Sequence, residues 1–398
     1  MVIAFKLYMS IEQTIQSVPL GNQSSPQPIE RWLEALKSTG EGAVELLRKA
    51  YRKNWPTQGE LIFSGACEFT CQHCIYPPSY ARANRGLSVE QWDRILENIA
   101  QNLGIRTFVY GGRSLSTEGL EVLTGLRRRF PDAQIGLIDN GISMLPLRDR
   151  LADVQAEWID VSLDGQEKEH DLQRGRPGSF RAGLEGVQWL VRNGIAPKVN
   201  ILTCLTTINQ ASVIPMIQEL NAMGLKNFFI IPVTVAEGMG PSPELQVSAE
   251  DFARFIVELR SVMPLLDDAW VELNCFSAEY AEYIAQNAPD IWEQLSCDRE
   301  GLSWGEKSIG VAHHGVSEFY VRYYPTSLTG TRELIVNTNG DVIVPKSMAA
   351  GTISNKHVIG NLLQQEAHEI VEGLPDSPKF GFYEQEFLHE QNLLRRYL

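Results

Sequence analysis

The sequence predicts an α/β fold in which strand–helix units in series form an incomplete parallel barrel. From Gly59 onward, short apolar runs alternate with amphipathic helical patterns, which is typical of βα units around a parallel sheet. A cysteine-rich loop, Cys67 to Cys74, follows the first apolar run, at the strand end where such barrels place their active sites. The length of 398 residues and a hydrophobic content of 43% support one large domain with appendages.

The barrel elements are predicted between residues 58 and 264. The predicted strands are Leu61–Phe63, Thr107–Tyr110, Ile135–Ile138, Trp158–Leu163, Val199–Leu205 and Phe228–Val233. The predicted helices are Val89–Gln101, Thr117–Arg129, Phe180–Arg192, Ala211–Met223 and Ala249–Val262. Together they predict a partial (β/α)6 barrel.

Two appendages flank this predicted barrel. Residues 1–57 form a helical N-terminal extension, in which a Gly/Ser/Pro stretch precedes a helical pattern at Ile29–Arg52. Residues 265–398 form a small α+β C-terminal domain, where the strand-like runs Glu333–Asn337 and Asp341–Val344 flank Asn339-Gly340. Asn-Gly is the strongest short signal of a β-hairpin.

Composition excludes several classes of protein. The net charge of −14 argues against nucleic-acid binding, which requires basic patches. No apolar run reaches the roughly 18 residues of a membrane helix, and the N-terminal segment is too polar for a signal peptide. Cysteines clustered in a motif suit a reducing compartment better than a disulfide framework does. We therefore expect a cytoplasmic enzyme that does not bind a membrane.

The spacing of Cys67, Cys71 and Cys74, CxxxCxxC, is the most informative motif. Three thiolates on one loop can hold an iron-sulfur cluster, and because such clusters usually take four thiolates, one iron would be left open. The alternative is a structural zinc site, in which His73 would supply the fourth ligand. Zinc sites more often combine ligand pairs from two separate loops, so the spacing favours the cluster.

This loop resembles that of the radical S-adenosylmethionine superfamily. The resemblance implies a 4Fe-4S cluster on Cys67, Cys71 and Cys74, whose open iron binds S-adenosylmethionine. In that family, electron transfer from the cluster cleaves the cofactor and yields a 5′-deoxyadenosyl radical, which abstracts a hydrogen atom from substrate. An electron donor of the flavodoxin or ferredoxin type is then expected as a partner.

The resemblance also nominates residues that seat the cofactor near the cluster loop. Gly111 and Gly112 match two positions of the family's GGE motif, while Arg113 replaces its acid and could pair with a carboxylate. His73 stands where the family often has an aromatic residue beside the adenine. Tyr76 is placed so that its backbone could reach the adenine edge.

Further cofactor residues are expected on the fourth and fifth predicted strands. Ser162 is the candidate for a ribose contact, and Asp164 caps the turn that follows. Arg174 is the candidate for the cofactor carboxylate, with Arg181 as its competitor. Asn200 contributes if its side chain faces inward, which half of strand residues do.

The C-terminal part is similar to a SPASM or twitch domain, which in the family binds auxiliary clusters. Where such a domain has a cysteine after its hairpin, this chain reads Pro345-Lys346-Ser347, and only Cys275 and Cys297 remain in the segment. Because a cluster takes about four ligands, we expect no auxiliary cluster and a redox-neutral reaction. Cys204, Cys275 and Cys297 are the candidate hydrogen-atom donors, with burial as small hydrophobes as the alternative.

The resemblance is to enzymes that modify ribosomally made peptides, by epimerisation or backbone fragmentation among other reactions. The expected partners are a precursor peptide and a separate leader-recognition protein. Two alternatives remain open at this point. One is a radical enzyme that acts on a sugar, nucleoside or amino acid, and the other is a protein that keeps the cluster for structure or sensing.

Overall fold

The computed structural model describes residues 35, 38, 41–53, 56–65, 67–75, 86–111, 114–233, 235, 241–275, 277–288, 307–308, 311–313, 317–323, 327, 333–343 and 357–395. These residues build one twisted, mainly parallel sheet with helices packed on its outer face. Its strand order is β13-β12-β11-β1-β2-β3-β4-β5-β6-β7-β10-β8, and β9 pairs with β10.

Strands β1 to β7 are parallel and follow one another in chain order. They are β1 Gln58–Leu61, β2 Thr107–Tyr110, β3 Gln134–Asp139, β4 Trp158–Ser162, β5 Lys198–Leu205, β6 Asn227–Pro232 and β7 Trp270–Cys275. The remaining strands are β8 Lys307–Ser308, β9 Val311–His313, β10 Ser317–Tyr323, β11 Glu333–Val336, β12 Asp341–Ile343 and β13 Val358–Asn361.

Helices lie before, between and after the parallel strands, and those between them cover the outer face of the sheet. They are α1 Glu41–Lys53, α2 Val89–Asn102, α3 Thr117–Arg129, α4 Arg148–Val154, α5 Glu167–Arg174, α6 Ser179–Asn193, α7 Val213–Ala222, α8 Ala249–Val262, α9 Ala278–Asn287, α10 Ala367–Gly373 and α11 Gly381–Leu394. Serine caps begin several of them: the Ser88 hydroxyl accepts the Gln91 amide in a capping box, which satisfies a donor that the first helical turn leaves unpaired. Among the described residues, no helix is both long and apolar enough to cross a bilayer.

The side chains of each strand point alternately to the two faces of the sheet. On β5, Ile201 and Leu205 belong to the main apolar core between sheet and helices. Side chains of a strand alternate between faces, so Asn200, Leu202 and Cys204 face the barrel interior. The same rule places polar side chains of neighbouring strands inside the barrel, where the active site is expected.

The predicted fold class is confirmed, with differences at element ends. Helices α3 and α8 have the predicted bounds, whereas β1 lies at Gln58–Leu61 rather than Leu61–Phe63. The polar start of β1 hid it from a search for apolar runs. Strand β7 was not predicted as part of the barrel, yet it pairs with β6 in parallel, so the sheet continues beyond residue 264.

The predicted hairpin is confirmed as the antiparallel pair β11 and β12, with Ile335 opposite Ile343. Strand β11 also pairs with β1 in parallel, which attaches the hairpin to the first barrel strand. At the turn, Gly340 has φ of 84°, a left-handed conformation that glycine adopts without strain. Pro345-Lys346-Ser347 and Cys297 lie outside the described residues.

Helix α1 packs against the C-terminal helix α11. Leu47 and Tyr51 are buried with Phe380, Tyr383 and Phe387 in a separate apolar cluster. The Arg48 side chain binds the Glu384 carboxylate and donates to the Pro375 carbonyl at 2.7 Å. The described part of the N-terminal extension therefore stabilises the end of the chain.

Candidate active site at the carboxyl ends of the strands

The cysteine loop follows β1 and lies over the ends of β4 and β5. Cys67, Cys71 and Cys74 are all half-buried and none forms a disulfide. Gln72 fixes the loop to α5, because its backbone amide donates to the Gln173 carbonyl at 2.9 Å and its side-chain amide to the Leu172 carbonyl at 3.0 Å. Three thiols are thereby presented at the carboxyl edge of the sheet.

Cys67 is contacted by polar residues that follow β2 and β3. The Ser114 hydroxyl lies 3.6 Å from the Cys67 sulfur, and the Asn140 side-chain amide donates to the same hydroxyl at 2.7 Å. A cleft of about 380 Å³ opens beside them, lined among others by Glu68, Ser114, Asn140 and Ser143. The cleft lies directly next to the cysteine loop and has both polar and apolar lining residues.

Asp164, just beyond β4, is the centre of a buried polar network. Its Oδ2 accepts a hydrogen bond from Nε of Arg174 at 2.6 Å, and its Oδ1 accepts the backbone amide of Cys204 at 2.8 Å. The Asp164 backbone amide donates to Nδ1 of His170 at 2.9 Å, so the proton of this imidazole is on Nε2. One carboxylate thus joins α5, the end of β5 and the turn after β4.

The charges of this network determine its ionisation. Burial alone would raise the pKa of the Asp164 carboxyl, but the charge of Arg174, assisted by His73 and His170, lowers it to about 2. Burial lowers the pKa of both His73 and His170 to about 4, so neither imidazole is charged near pH 7. The 3.7 Å contact between His73 and Asp164 is therefore not an ion pair at that pH.

Arg174 carries the positive charge of the site. Its side chain is 9% exposed and lies close enough to Cys71 that its charge lowers the pKa of that thiol, although burial, the larger effect, raises it to about 12. Within the described part of the chain, Arg174 makes its side-chain hydrogen bond through Nε, and none through its two terminal nitrogens. No described residue therefore competes with an anion for those two nitrogens.

The structure brings some predicted residues to this site and separates others. Ser162 is buried on the inner face of β4. Asn200 also faces inward, but its side-chain amide donates to Asp160 at 2.7 Å, one layer below Ser162. Burial raises the pKa of Asp160 to about 6, opposed by that hydrogen bond. The competitor Arg181 is 78% exposed and pairs with Glu167 on the surface, away from the cysteine loop.

Gly111 is required by its neighbour on β1. A β-carbon at this position would lie 2.1 Å from Oε1 of Glu60, so any side chain would displace the buried Glu60 carboxylate. The glycine is thus explained by close packing of two strand ends. The other residues of this predicted motif, Gly112 and Arg113, lie outside the described residues, as does Tyr76.

The candidate hydrogen donors lie on different faces. Cys204 is half-buried, faces the interior and lies near Cys71 and Cys74. Burial is the main cause that raises the pKa of its thiol, and the charge of Asp164 raises it further. Cys275 is buried in the core on the outer face of β7, and its thiol contacts the Ser277 carbonyl at 3.4 Å. Of these two cysteines, Cys204 lies on the face that carries the cysteine loop, and Cys275 lies on the opposite face of the sheet.

Sequence reasoning missed Ser114, Asn140 and the central role of Asp164. All three lie in the segments that follow strands β2, β3 and β4, and polar residues beyond the carboxyl ends of parallel strands are a usable signal. Among the described residues, no three His, Cys, Asp or Glu side chains converge on one metal-ion position. A cubane binds each cysteine to a different iron, so its ligands do not need to converge on a single point.

Comparisons with known proteins agree on the type of domain. The profile of the Radical SAM superfamily matches residues 61–220. The pre-heme d1 synthase of Dinoroseobacter shibae is 25% identical over 165 residues, 41% of this chain and 40% of that protein. The sporulation killing factor maturation protein SkfB of Bacillus subtilis is 24% identical over 139 residues, 34% of this chain and 33% of that protein. The chain thus spans less than half the length of either relative.

Two solved structures share the fold. The structure of Streptococcus suis SuiB bound to precursor peptide SuiA superposes with a TM-score of 0.60 at 12% identity, covering 96% of this chain and 78% of SuiB. The structure of anSMEcpe with bound AdoMet and the Cp18Cys peptide gives 0.57 at 15% identity, covering 83% and 84%. Residues 61–220 therefore match the Radical SAM superfamily in sequence, and the chain shares its fold with these two solved structures.

Proposed function

We propose that this chain is a radical S-adenosylmethionine enzyme that modifies a ribosomally made peptide without net oxidation. The observation that carries the proposal is the position of Cys67, Cys71 and Cys74 on one loop beside the buried Arg174, whose terminal nitrogens have no partner in the described chain. An iron-sulfur cluster needs thiolate ligands, and the carboxylate of S-adenosylmethionine needs a fixed cation.

The residues present fit a cluster with S-adenosylmethionine. The three thiols supply the ligand type of iron-sulfur clusters. Nδ1 of His73 is buried without a hydrogen-bond partner in the described part of the chain, which leaves a polar atom for a cofactor group to satisfy. Once bound, the cluster and cofactor supply a 5′-deoxyadenosyl radical that abstracts hydrogen.

The protein itself orients these groups. Asp164 holds Arg174 through Nε, which fixes the orientation of the guanidinium and leaves its terminal nitrogens to bind the cofactor carboxylate in our proposal. Ser162, which lies on the inner face of β4 just before Asp164, contacts the ribose of the cofactor. Asn200, held by Asp160, supports the layer beneath.

The inner wall of β5 to β7 supports a peptide as substrate. Leu202, Phe229 and Ile231 face inward and are only partly buried, whereas their outward neighbours Phe228 and Ile230 are fully buried. The barrel interior is therefore open to solvent at this wall. It offers an apolar surface for a substrate side chain.

Asn274 is one of the polar groups of this wall. It lies one position beyond Leu273, which pairs with Ile230, so it shares a level with Ile231 and Cys204. Its Oδ1 is buried and has no hydrogen-bond partner among the described residues. A buried amide oxygen without a partner costs free energy, which a peptide N–H of the substrate would recover by donating to it.

Replacing Asn274 by leucine is expected to lower peptide modification about tenfold, the effect of one lost hydrogen bond, without lowering cofactor cleavage in the absence of peptide. Mass spectrometry of a short peptide encoded beside the gene and co-expressed with each variant measures it. Asn227→Leu is the matched control, because Asn227 lies on the same inner face near the amino ends of the strands. Equal losses in both variants would contradict a specific contact of Asn274 with the peptide.

The redox-neutral reaction can be tested by solvent deuterium. An epimerisation removes one hydrogen atom from the substrate and returns one from the donor thiol, whose sulfur radical then takes one electron from the external reductant and one proton from solvent. Since thiol hydrogens exchange with solvent, the peptide modified in D₂O should gain about 1 Da. Cys204→Ala should abolish this gain, and Cys275→Ala should not. Normal labelling with Cys204→Ala would exclude Cys204 as donor, and a loss of two hydrogens from the peptide would exclude a redox-neutral reaction.

One alternative function has an observation in its favour. The relative from Dinoroseobacter shibae is named a pre-heme d1 synthase, so a non-peptide substrate is the second candidate. Formation of 5′-deoxyadenosine together with an unchanged co-expressed peptide would support it. We propose a flavodoxin or ferredoxin type protein as the electron donor, a separate leader-recognition protein, and a SPASM-like C-terminal region without an auxiliary cluster.

A further inference from the structure

We infer that the Ser114 hydroxyl, oriented by Asn140, donates a hydrogen bond to the Cys67 sulfur and raises the reduction potential of the cluster that Cys67 binds. This rests on the proposed function, which assigns Cys67 as a cluster ligand. It adds a residue that controls how easily the cluster accepts an electron.

The direction of each hydrogen bond follows from the geometry. The backbone amide of Ile142 donates to Oδ1 of Asn140 at 3.0 Å, which identifies the oxygen of that side-chain amide. Nδ2 of Asn140 is therefore the end that donates to the Ser114 hydroxyl, at 2.7 Å. With a lone pair of its oxygen occupied, the hydroxyl directs its own hydrogen elsewhere, and the Cys67 sulfur lies 3.6 Å away. That distance suits a hydrogen bond to the larger sulfur atom.

The two loops that carry Ser114 and Asn140 are held together by Asp139. Its Oδ2 accepts the backbone amide of Leu115 at 3.0 Å, and its Oδ1 accepts the backbone amide of Gly141 at 2.7 Å. Asp139 is 2% exposed, so solvent does not compete for these bonds. The Ser114 hydroxyl is thus positioned by the fold before any cofactor binds.

A hydrogen bond to a cluster sulfur changes the energy of the two oxidation states unequally. Reduction adds negative charge to the cluster and its thiolates, so a donor at the sulfur stabilises the reduced state more and raises the potential. Removal of the Ser114 hydroxyl should therefore make the cluster harder to reduce. Asn140 acts through Ser114 and is a positioning residue.

The test is a redox titration of the full chain, reconstituted with iron and sulfide, followed by electron paramagnetic resonance without S-adenosylmethionine. At one fixed potential, Ser114→Ala is expected to raise the ratio of oxidised to reduced cluster about fivefold. Asn140→Leu should shift it in the same direction by less, and Ser114→Thr, which keeps the hydroxyl, should restore the parent ratio. Thr117→Val is the matched control, because it removes a hydroxyl from the same cleft away from Cys67.

The outcomes separate this inference from the proposed function. Parent protein that binds no cluster would overturn the proposed function. A parent cluster whose potential is unchanged in both Ser114→Ala and Asn140→Leu would overturn this inference alone. If Ser114→Ala fails to bind iron, Asn140→Leu decides, since it leaves the hydroxyl in place but removes its orientation.

Discussion

Replacing Asp164 by asparagine is expected to lower the free energy of unfolding by about 3–5 kcal/mol, because it leaves the buried Arg174 charge without its partner. Both side chains are almost fully buried, at 0% and 9% exposure, so water cannot replace the lost carboxylate. Urea unfolding of parent and variant at pH 7 measures the difference. Adding Arg174→Met to the variant should recover much of the loss, since no buried charge then remains unpaired.

The pH dependence of this pair has a definite sign. The pKa of Asp164 is lowered to about 2 in the folded protein, against a usual value of 3.8. Its contribution to stability is therefore complete above pH 3.8 and is lost as the pH falls towards 2. The parent should lose stability in that interval more steeply than the asparagine variant.

A surface ion pair provides the control for Asp164. Glu167→Gln breaks the pair with Arg181, which is 78% exposed, and should cost less than about 1 kcal/mol. Equal losses for Asp164→Asn and Glu167→Gln would contradict the central structural role of Asp164.

Replacing Cys67, Cys71 or Cys74 by alanine is expected to reduce bound iron from about four atoms per chain to less than one, because two thiolates cannot hold a cubane. Iron and sulfide analysis after anaerobic reconstitution measures it, together with the absorption of the cluster. Cys204→Ala and Cys275→Ala are the controls and should keep the parent's iron. Iron retained in all three loop variants, or lost with Cys204→Ala, would contradict the ligand assignment.

The barrel was predictable from sequence because its parallel strands are short, apolar and separated by amphipathic helices. Helix α8 follows a serine cap at Ser248 and ends before the turn at Met263, so its bounds could be read directly. Strand β1 was misplaced because Gln58 and Glu60 make its inner face polar. Strand β7 was missed because Glu272 and Asn274 interrupt its apolar run with inward-facing polar groups.

The candidate site was predictable where the chemistry is local. Three cysteines within one loop predict a metal cluster, but the residues that contact this loop come from distant parts of the chain. Asp164 looked like a turn cap because Gly165 follows it, and only the fold shows its contacts with Arg174 and Cys204. Ser114 reaches Cys67 across a separation of 47 residues, which no local pattern encodes.

The central claim is that the cysteine loop starts radical chemistry, and the most direct test is chromatography for 5′-deoxyadenosine. Parent protein and Cys71→Ala are reconstituted anaerobically, reduced with dithionite and incubated with S-adenosylmethionine. We predict 5′-deoxyadenosine from the parent and none above background from Cys71→Ala. A parent protein that carries about four irons per chain and still forms no 5′-deoxyadenosine would contradict the claim and point to a structural or sensing cluster.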